Sequence, residues 1–289
     1  MKKSVQIGFF LLPAVALTGI FIYYFAGWSA WASMLSWEGL SGFGHFIGLQ
    51  NYIDLFTKDF VFRKGLINTL ILSGSFIAVT LPLGLLNAIL IDLGLKGKKA
   101  FRLIFLLPLS FSFVVSATMW VWMFAPQSGT INTLLRGIGL GALAQPWLTS
   151  SSQSLLGLVI IYVWQFSGFA TLVYFAGISS VRTELLEAAE VDGATTFQKY
   201  IRVVIPLQKI PTFTVLFLLL MYALRVFDLV WLTTGGGPGY SSELLATYMW
   251  RVAFNRNQFA DGAAIGFVMF ILSALIVIPF VVKMRGDTS

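Results

Sequence analysis

Long apolar runs alternate with short polar segments along this chain. A helix that spans a membrane needs about 20 consecutive, mostly apolar residues. Six stretches have this length, at roughly 7–26, 68–91, 101–124, 154–177, 210–233 and 263–282. The pattern predicts an all-α polytopic membrane protein with six transmembrane helices, in which residues 1–289 form one domain. The first run is long and lacks a small-x-small cleavage site before Trp28, so we expect a spanning helix and not a cleavable signal peptide.

The distribution of positive charge predicts how these helices are oriented. Only 11% of the residues are charged, against about 25% in a soluble domain. If the helices alternate in direction, twelve Lys and Arg residues fall on the side of both termini and six on the other. The twelve are Lys2, Lys3, Lys96, Lys98, Lys99, Arg102, Arg182, Lys199, Arg202, Lys209, Lys283 and Arg285, and the six are Lys58, Arg63, Lys64, Arg136, Arg251 and Arg256. Loops rich in Lys and Arg stay on the cytoplasmic side, so both termini are expected there.

Several classes of function lack the residues that they need. The net charge of +7 reflects topology, and no basic stripe interleaved with aromatic residues suggests a nucleic-acid partner. The chain has no cysteine and a single histidine, His45, which we expect to be a solvated side chain of the first outer loop, so no metal site is predicted. A membrane enzyme would need a catalytic cluster of His, Cys or acidic residues, and the sequence shows no such cluster. An ion-coupled secondary carrier would need several carboxylates at depth, and Asp228 is the only one in the six spans.

A charged segment at 179–209 separates the fourth and fifth apolar runs and must be exposed to water. Thr183 is placed to cap a first helix, and Gly193 supplies the backbone freedom for a sharp reversal. Thr195 or Thr196 can begin a second helix, whose extension Pro206 is expected to limit. The predicted second helix carries Phe197, Tyr200 and Ile201 on one face. The composition of this segment also allows an alternative. It could be an ordinary cytoplasmic loop that packs on its own helix bundle, and not a surface that docks on a partner protein.

The order of residues in this segment resembles a known coupling motif. Glu187-Ala188-Ala189, then Gly193, then nine residues and Val203-Val204-Ile205-Pro206 give the form E-A-A-x-x-x-G and apolar-x-apolar-Pro. This resembles the coupling motif of the membrane subunits of bacterial binding-protein-dependent ABC importers, with Val203 and Ile205 where Ile and Leu are usual. The resemblance implies a cytoplasmic helix-turn-helix that docks into an ATPase subunit. The residues at motif positions are Glu187, Ala188, Ala189, Asp192, Gly193 and Pro206.

Three outer loops are similar to the carbohydrate branch of these importers. Residues 48–52 read G-L-Q-N-Y, 124–132 read F-A-P-Q-S-G-T-I-N, and 227–238 read F-D-L-V-W-L-T-T-G-G-G-P. The resemblance implies the type I importer permease fold in a bacterial cytoplasmic (inner) membrane. It implies alternating-access transport of a sugar or oligosaccharide, with glycerol-3-phosphate or another polyol derivative as the alternative.

The same resemblance implies a set of partners in the membrane and on either side of it. They are a second, homologous permease, two ATP-binding subunits and an extracytoplasmic solute-binding protein. The chain has no Gly-x-x-x-x-Gly-Lys-Ser/Thr element, so it is expected to hold no cofactor and to be no enzyme by itself. ATP and Mg²⁺ would then be bound by the partner ATPase subunits.

Polar and aromatic residues at mid-membrane depth are the candidates for a substrate path. Sugars are bound by aromatic faces together with amide or hydroxyl groups. Helices three, four and five, on which the substrate site of the resembling family falls, carry such groups. The candidates are Ser112, Trp164, Gln165, Phe166, Tyr222 and Arg225, with Tyr162, Ser110 and Ser116 nearby. Helix packing, with serine hydroxyls bonded back to their own turns, is the alternative for any one of them.

Arg225 and Asp228 lie three residues apart in the predicted fifth helix. On one helical face this spacing allows an ion pair, which would offset the cost of two charges in the membrane. We expect a structural ion pair, and the alternative is that one or both residues line the substrate path.

Overall fold

The computed structural model describes residues 2–39, 42, 44–94 and 103–286, and these are almost entirely helical. In chain order the α-helices are α1 (Lys2–Ala32), α2 (Gln50–Thr57), α3 (Phe60–Asp92), α4 (Phe113–Met123), α5 (Thr130–Gly137), α6 (Ser154–Ser179), α7 (Thr183–Val191), α8 (Thr196–Lys199), α9 (Lys209–Leu224), α10 (Asp228–Thr233), α11 (Leu245–Trp250) and α12 (Phe259–Gly286). Short 3₁₀ or π segments occupy Leu107–Ser110, Gly141–Leu143, Tyr200–Val204, Pro206–Gln208 and Arg251–Asn255. The predicted all-α class is confirmed.

Within the described ranges, five helical stretches are long and apolar enough to cross a membrane. They are Leu11–Ala32, Phe60–Asp92, Ser154–Ser179, Thr196–Leu224 and Phe259–Phe280. A sixth crossing is present if Leu103–Ser110 and α4 count as one broken span, in which the two helices are bent by 111°. Residues 101 and 102 of the predicted third span lie outside the described residues.

The expectation of one continuous third helix is wrong, and local chemistry explains the break. Pro108 has no backbone N–H to donate, and Phe111 is extended, with φ −84° and ψ 135°. Ser112 then begins α4 as its N-cap, because its hydroxyl accepts a hydrogen bond from the Val115 N–H at 3.3 Å. Residues 111 and 112 therefore separate two helices of different direction.

The predicted fifth span, 210–233, is also wrong at its outer end. Helix α9 ends at Leu224, and a new helix, α10, begins at Asp228. A cation is favoured at the C-terminus of a helix and an anion at the N-terminus. Arg225 follows the last residue of α9 and Asp228 is the first residue of α10, so each charge stabilises the break at its own side. The two residues do not share one helical face.

Pro206 does not end the second helix of the 179–209 segment. The helical path runs without interruption from Thr196 to Leu224, passing through a π turn at 200–204 and a 3₁₀ turn at 206–208. A proline is tolerated where a regular i→i−4 ladder is already interrupted. Its effect is therefore an irregular stretch between the loop and α9, and not a helix end.

The chain divides into two compact units, Met1–Arg63 with Leu245–Val282, and Lys64–Leu244 with Lys283–Ser289. In the second unit, buried side chains of α3, α4, α6, α9 and α10 form one apolar cluster that includes Phe76, Ile161, Leu219 and Leu229. Helices α3 and α6 approach closely at Gly84, where any Cβ would lie 2.5 Å from the Ala170 Cβ.

In the first unit, the Asn51 side-chain amide stabilises the segment that follows α1. It donates hydrogen bonds to the Ser33 and Leu35 carbonyl oxygens. The expectation of a single domain stays a prediction.

The glycine-rich segment that follows α10 is folded against α3 within the second unit. The Asn68 amide nitrogen lies 3.2 Å from the Tyr240 carbonyl oxygen, 3.1 Å from that of Ser241 and 3.0 Å from that of Glu243. Gly236 has φ +86°, which L side chains rarely adopt, and a Cβ there would lie 2.4 Å from the Glu243 carboxylate, which would have to shift. The G-G-G-P sequence thus supplies a tight loop, with a cis bond between Gly237 and Pro238.

Candidate functional site

The 179–209 segment forms the predicted helix-turn-helix. Helix α7 ends at Val191, and Gly193 follows with φ +75°, a value that L side chains rarely adopt. The Gly193 N–H donates to the Glu190 carbonyl, and the Ala194 N–H donates to the Ala189 carbonyl, both at 2.9 Å. These two bonds satisfy carbonyls at the end of α7 and turn the chain back.

The second helix of the segment, α8, begins at a side-chain cap. The Thr195 hydroxyl accepts from the Gln198 N–H, and the Gln198 amide oxygen accepts from the Thr195 N–H at 2.8 Å. This is a reciprocal capping box. Of the two predicted threonines, Thr195 is therefore the cap. At the first helix the prediction is wrong, because Thr183 is already helical and the N-cap position is occupied by Arg182, without a side-chain bond.

An ion pair joins the two helices of this knob, which we define as residues 183–199. Lys199 in α8 contacts Glu190 in α7, and only 17% of the Lys199 side chain is exposed. The apolar tip of the knob is uncovered, since Val191 is 88% exposed and Phe197 is 73% exposed. Glu187, Ala188, Asp192 and Gly193 are exposed and Ala189 is half-buried, and Pro206, beyond the knob, is exposed. The knob therefore presents a small apolar surface with acidic neighbours.

A cavity of about 470 Å³ lies in the second unit, beside the middle of α6 and the C-terminal end of α9. Aromatic rings form much of its wall, and Phe166 and Tyr222 stand with ring centroids 4.8 Å apart. Two charged groups, from Arg225 and Asp228, reach the same space. The lining is Phe113, Tyr162, Phe166, Leu218, Met221, Tyr222, Arg225, Val226, Phe227, Asp228 and Leu229.

The structure brings together three of the six residues that were predicted for a substrate path. Phe166, Tyr222 and Arg225 line the cavity. Trp164, Gln165 and Ser112 do not. Ser112 is engaged as the cap of α4, and Trp164 packs against two other aromatic rings, with centroid distances of 5.5 Å to Trp120 and 6.1 Å to Phe111. Trp164 therefore packs against other parts of the protein and does not reach the cavity.

Gln165 stabilises the break before α4. It is 3% exposed, and its oxygen accepts from the Ser116 hydroxyl at 2.6 Å. Its nitrogen donates to the Pro108 carbonyl at 2.6 Å and to the Phe111 carbonyl at 3.3 Å. At a helix break, backbone carbonyls lose their helical N–H donors, and inside a membrane they need other hydrogen-bond donors from the protein. Gln165 was predicted to contact substrate, but in the structure it does not line the cavity, and all of these bonds are made within the protein.

The expected ion pair between Arg225 and Asp228 is not formed. Lys58 pairs with Asp54 and Lys199 with Glu190 within 4.0 Å, but no such contact joins the described residues Arg225 and Asp228. The break between α9 and α10 separates the two charges, and both side chains are exposed at the cavity. The alternative reading, in which they line the path, fits this geometry better.

The family model for the binding-protein-dependent transport system inner membrane component matches residues 80–285. This range contains the knob, the cavity and most of the long helices. The chain belongs to this family. The family membership that the coupling motif predicted is thereby confirmed. The permease is a transport component of an ABC importer.

Relatives match the permease along nearly its whole length. A probable ABC transporter permease protein of Pyrococcus horikoshii is 39% identical over 283 residues, covering 97% of each chain. The xylose/arabinose import permease protein of Haloferax volcanii is 33% identical over 273 residues, which is 94% of this chain and 84% of that one. The trehalose/maltose transport system permease protein of Thermococcus litoralis is 29% identical, covering 93% and 90%.

Solved structures share the fold of the permease. A bacterial ABC transporter involved in the import of the acidic polysaccharide alginate has a TM-score of 0.83 and 26% identity, covering 100% of this chain and 98% of that chain. The bacterial alginate ABC transporter in complex with an alginate pentasaccharide-bound periplasmic protein has a TM-score of 0.84 and 26% identity, covering 100% and 96%. The predicted importer permease fold is confirmed.

Some residues of the cavity were missed from the sequence. Leu218 and Met221 lie four residues before Tyr222 and Arg225, so helical spacing from those two candidates could have pointed to them. Phe113 and Phe227 reach the cavity only because the helices break beside them, at 111–112 and 225–227. Sequence periodicity carries no signal for that.

Proposed function

We propose that the chain is one of two membrane-spanning subunits of an ATP-driven importer that carries a sugar or oligosaccharide across the cytoplasmic membrane. The second subunit is a homologous permease. Two ATP-binding subunits hold ATP and Mg²⁺, and an extracytoplasmic solute-binding protein delivers the substrate. Both termini of the chain lie in the cytoplasm, in line with the excess of Lys and Arg on that side.

The cavity beside α6 and α9 is the observation that carries the sugar assignment. Its volume of about 470 Å³ lies within the range of small-ligand sites. Aromatic faces of Tyr162, Phe166 and Tyr222 suit the C–H surface of a sugar ring, and Arg225 and Asp228 offer a donor and an acceptor for hydroxyl groups. Relatives named for xylose/arabinose, glucose and trehalose/maltose support the same substrate class.

The knob is the proposed contact with the ATPase subunit. Its exposed apolar tip, Val191 and Phe197, suits a cleft on a protein partner, and the small Ala188 and Ala189 permit close approach. Glu187 and Asp192 match a basic rim, and Gly193 fixes the reversal. ATP-driven closure of the ATPase pair would move the knob. Helices that pack as rigid bodies would then re-expose the cavity from the outer to the inner side.

Replacing an aromatic residue of the cavity wall tests whether the cavity lies on the substrate path. Tyr222→Leu is expected to lower the initial rate of sugar uptake several-fold in vesicles that contain the whole complex, with assembly and basal ATP hydrolysis unchanged. Tyr23→Leu is the matched control, since this tyrosine of α1 is 79% exposed and lies outside the cavity wall. Equal uptake by Tyr222→Leu and by the unmodified complex would remove the cavity from the path.

A substrate panel identifies the sugar. Thermal-shift and binding measurements on the partner solute-binding protein, with mono- and oligosaccharides and with glycerol-3-phosphate, are expected to give a sugar as the tightest ligand. Tight binding of glycerol-3-phosphate alone would overturn the sugar assignment and leave the importer class intact.

A further inference from the structure

One hydrogen bond connects the knob region to a membrane helix that is distant in sequence. The Tyr200 hydroxyl donates to the Asp92 carboxylate, with an oxygen–oxygen distance of 2.5 Å across 108 residues of sequence. Asp92 is the last residue of α3, and Tyr200 directly follows the last residue of α8. Tyr200 therefore gives the knob region a direct polar contact with the last residue of α3.

The Tyr200 end of this contact is held by its surroundings. The Tyr200 ring packs against the apolar cluster of the second unit, as does Leu186 of α7. Lys199, the neighbour of Tyr200, is bound to Glu190. Two adjacent residues thus connect three helices, because Lys199 reaches α7 and Tyr200 reaches α3, while both extend from α8.

The backbone that connects the knob to α9 is irregular. The π turn at Tyr200–Val204 is closed by the Ile205 N–H, which donates to the Tyr200 carbonyl at 2.8 Å, and Pro206 follows without an N–H. Interruptions of this kind are common at functional hinges. A cavity of about 400 Å³, lined by Asp92, Ile178, Leu186, Tyr200 and Val204 among others, also separates the knob from the membrane helices.

We propose that the Tyr200–Asp92 hydrogen bond transmits the movement of the knob to α3, so that the two residues set how much transport each ATP hydrolysis event drives. The proposal rests on the proposed docking of the knob to an ATPase subunit. Tyr200 is a positioning residue, since it does not line the substrate cavity. The irregular backbone at 200–206 absorbs motion toward α9, and the side-chain bond carries it to α3.

The test measures sugar transported per ATP hydrolysed by the reconstituted complex, with the solute-binding protein present. Tyr200→Phe removes only the hydroxyl group. It is expected to lower this ratio by about three- to tenfold, the range for one lost hydrogen bond, with the ATPase subunits still co-purifying. Tyr174→Phe is the matched control. Its hydroxyl donates to Thr212 at 3.1 Å and joins α6 to α9. Neither residue belongs to the knob, so the ratio is expected to stay unchanged.

A double-mutant cycle separates transmission from a merely structural role. Asp92→Ala is expected to lower the ratio as much as Tyr200→Phe, and the double variant is expected to be no worse than either single one. Asp92→Asn keeps an acceptor oxygen and should recover part of the loss. An unchanged ratio in Asp92→Ala, or additive losses in the double variant, would overturn the proposal even where Tyr200→Phe weakens assembly. An unmodified complex that moves no sugar would instead contradict the proposed function.

Discussion

At the scale of single residues, Gly193 carries the sharpest constraint on the knob. Its φ of +75° lies in the left-handed region, and a Cβ built there would meet nothing within 4 Å. Any penalty for a side chain at this position is therefore a backbone penalty. For a β-branched residue it is about 1–2 kcal/mol, which is enough to shift the turn away from its observed form.

Gly193→Val should leave the complex inserted in the membrane but poorly coupled. Because the reversal would be strained, we expect a several-fold loss of the ATPase stimulation that the loaded binding protein causes. Gly137→Val is the control, since Gly137 also has open space for a Cβ but its φ lies outside the left-handed region. Normal stimulation and normal uptake in Gly193→Val would contradict the coupling assignment.

Gln165 is expected to act on stability and not on substrate affinity. Gln165→Leu removes the buried bonds to Ser116, Pro108 and Phe111 and leaves their polar atoms without these partners. The free energy of unfolding should fall by about 2–3 kcal/mol, visible as a lower Tm of the solubilised complex. Gln127→Leu, at an exposed position, is the control. An unchanged Tm combined with weakened uptake would return Gln165 to the substrate path.

At the scale of elements, long helices could be predicted from the sequence and their breaks could not. Run length located 68–91, 154–177 and 263–282 inside observed helices because burial in lipid demands continuous apolar surface. The same criterion joined α9 and α10 into one span, since Val226 and Phe227 at the break are themselves apolar. A break inside an apolar run is decided by caps and by partners on other helices, such as Ser112 and Gln165, and run length does not report these.

The capping box of α8 makes a prediction at this scale. Thr195→Ala removes the acceptor for the Gln198 N–H, while Thr196→Ala changes a neighbour that is not the cap. Loss of an N-cap costs about 1 kcal/mol, so the Gln198 amide should exchange with solvent roughly fivefold faster in Thr195→Ala. Equal hydrogen exchange in the two variants would show that the cap does not hold α8 in place.

At the scale of the whole molecule, the fold followed from the sequence and the cavity followed only in part. Phe166, Tyr222 and Arg225 were predicted because sugar sites combine aromatic faces with polar groups, and all three line the cavity. Trp164 and Ser112 met the same criterion, but their contacts are made inside the protein. Depth is readable from position in an apolar run, whereas the direction in which a side chain points depends on how each helix is rotated and where it breaks.

The exposed surfaces of the chain indicate that it functions within an assembly. The apolar tip of the knob is uncovered, and so are Arg225 and Asp228 at the cavity, a position that lipid would not tolerate for charged groups. In the proposed assembly, the partner subunits and water would meet these surfaces. In the proposed mechanism, force applied at the knob changes access to the cavity.

ATP-dependent uptake by the reconstituted complex tests this account most directly. Labelled sugar should accumulate in vesicles only when ATP is supplied to the side of the ATPase subunits and the solute-binding protein is present on the other. Ionophores that collapse ion gradients should leave the accumulation unchanged, because no row of membrane carboxylates is available to couple it to ions. Accumulation that needs an ion gradient and proceeds without ATP or binding protein would contradict the account.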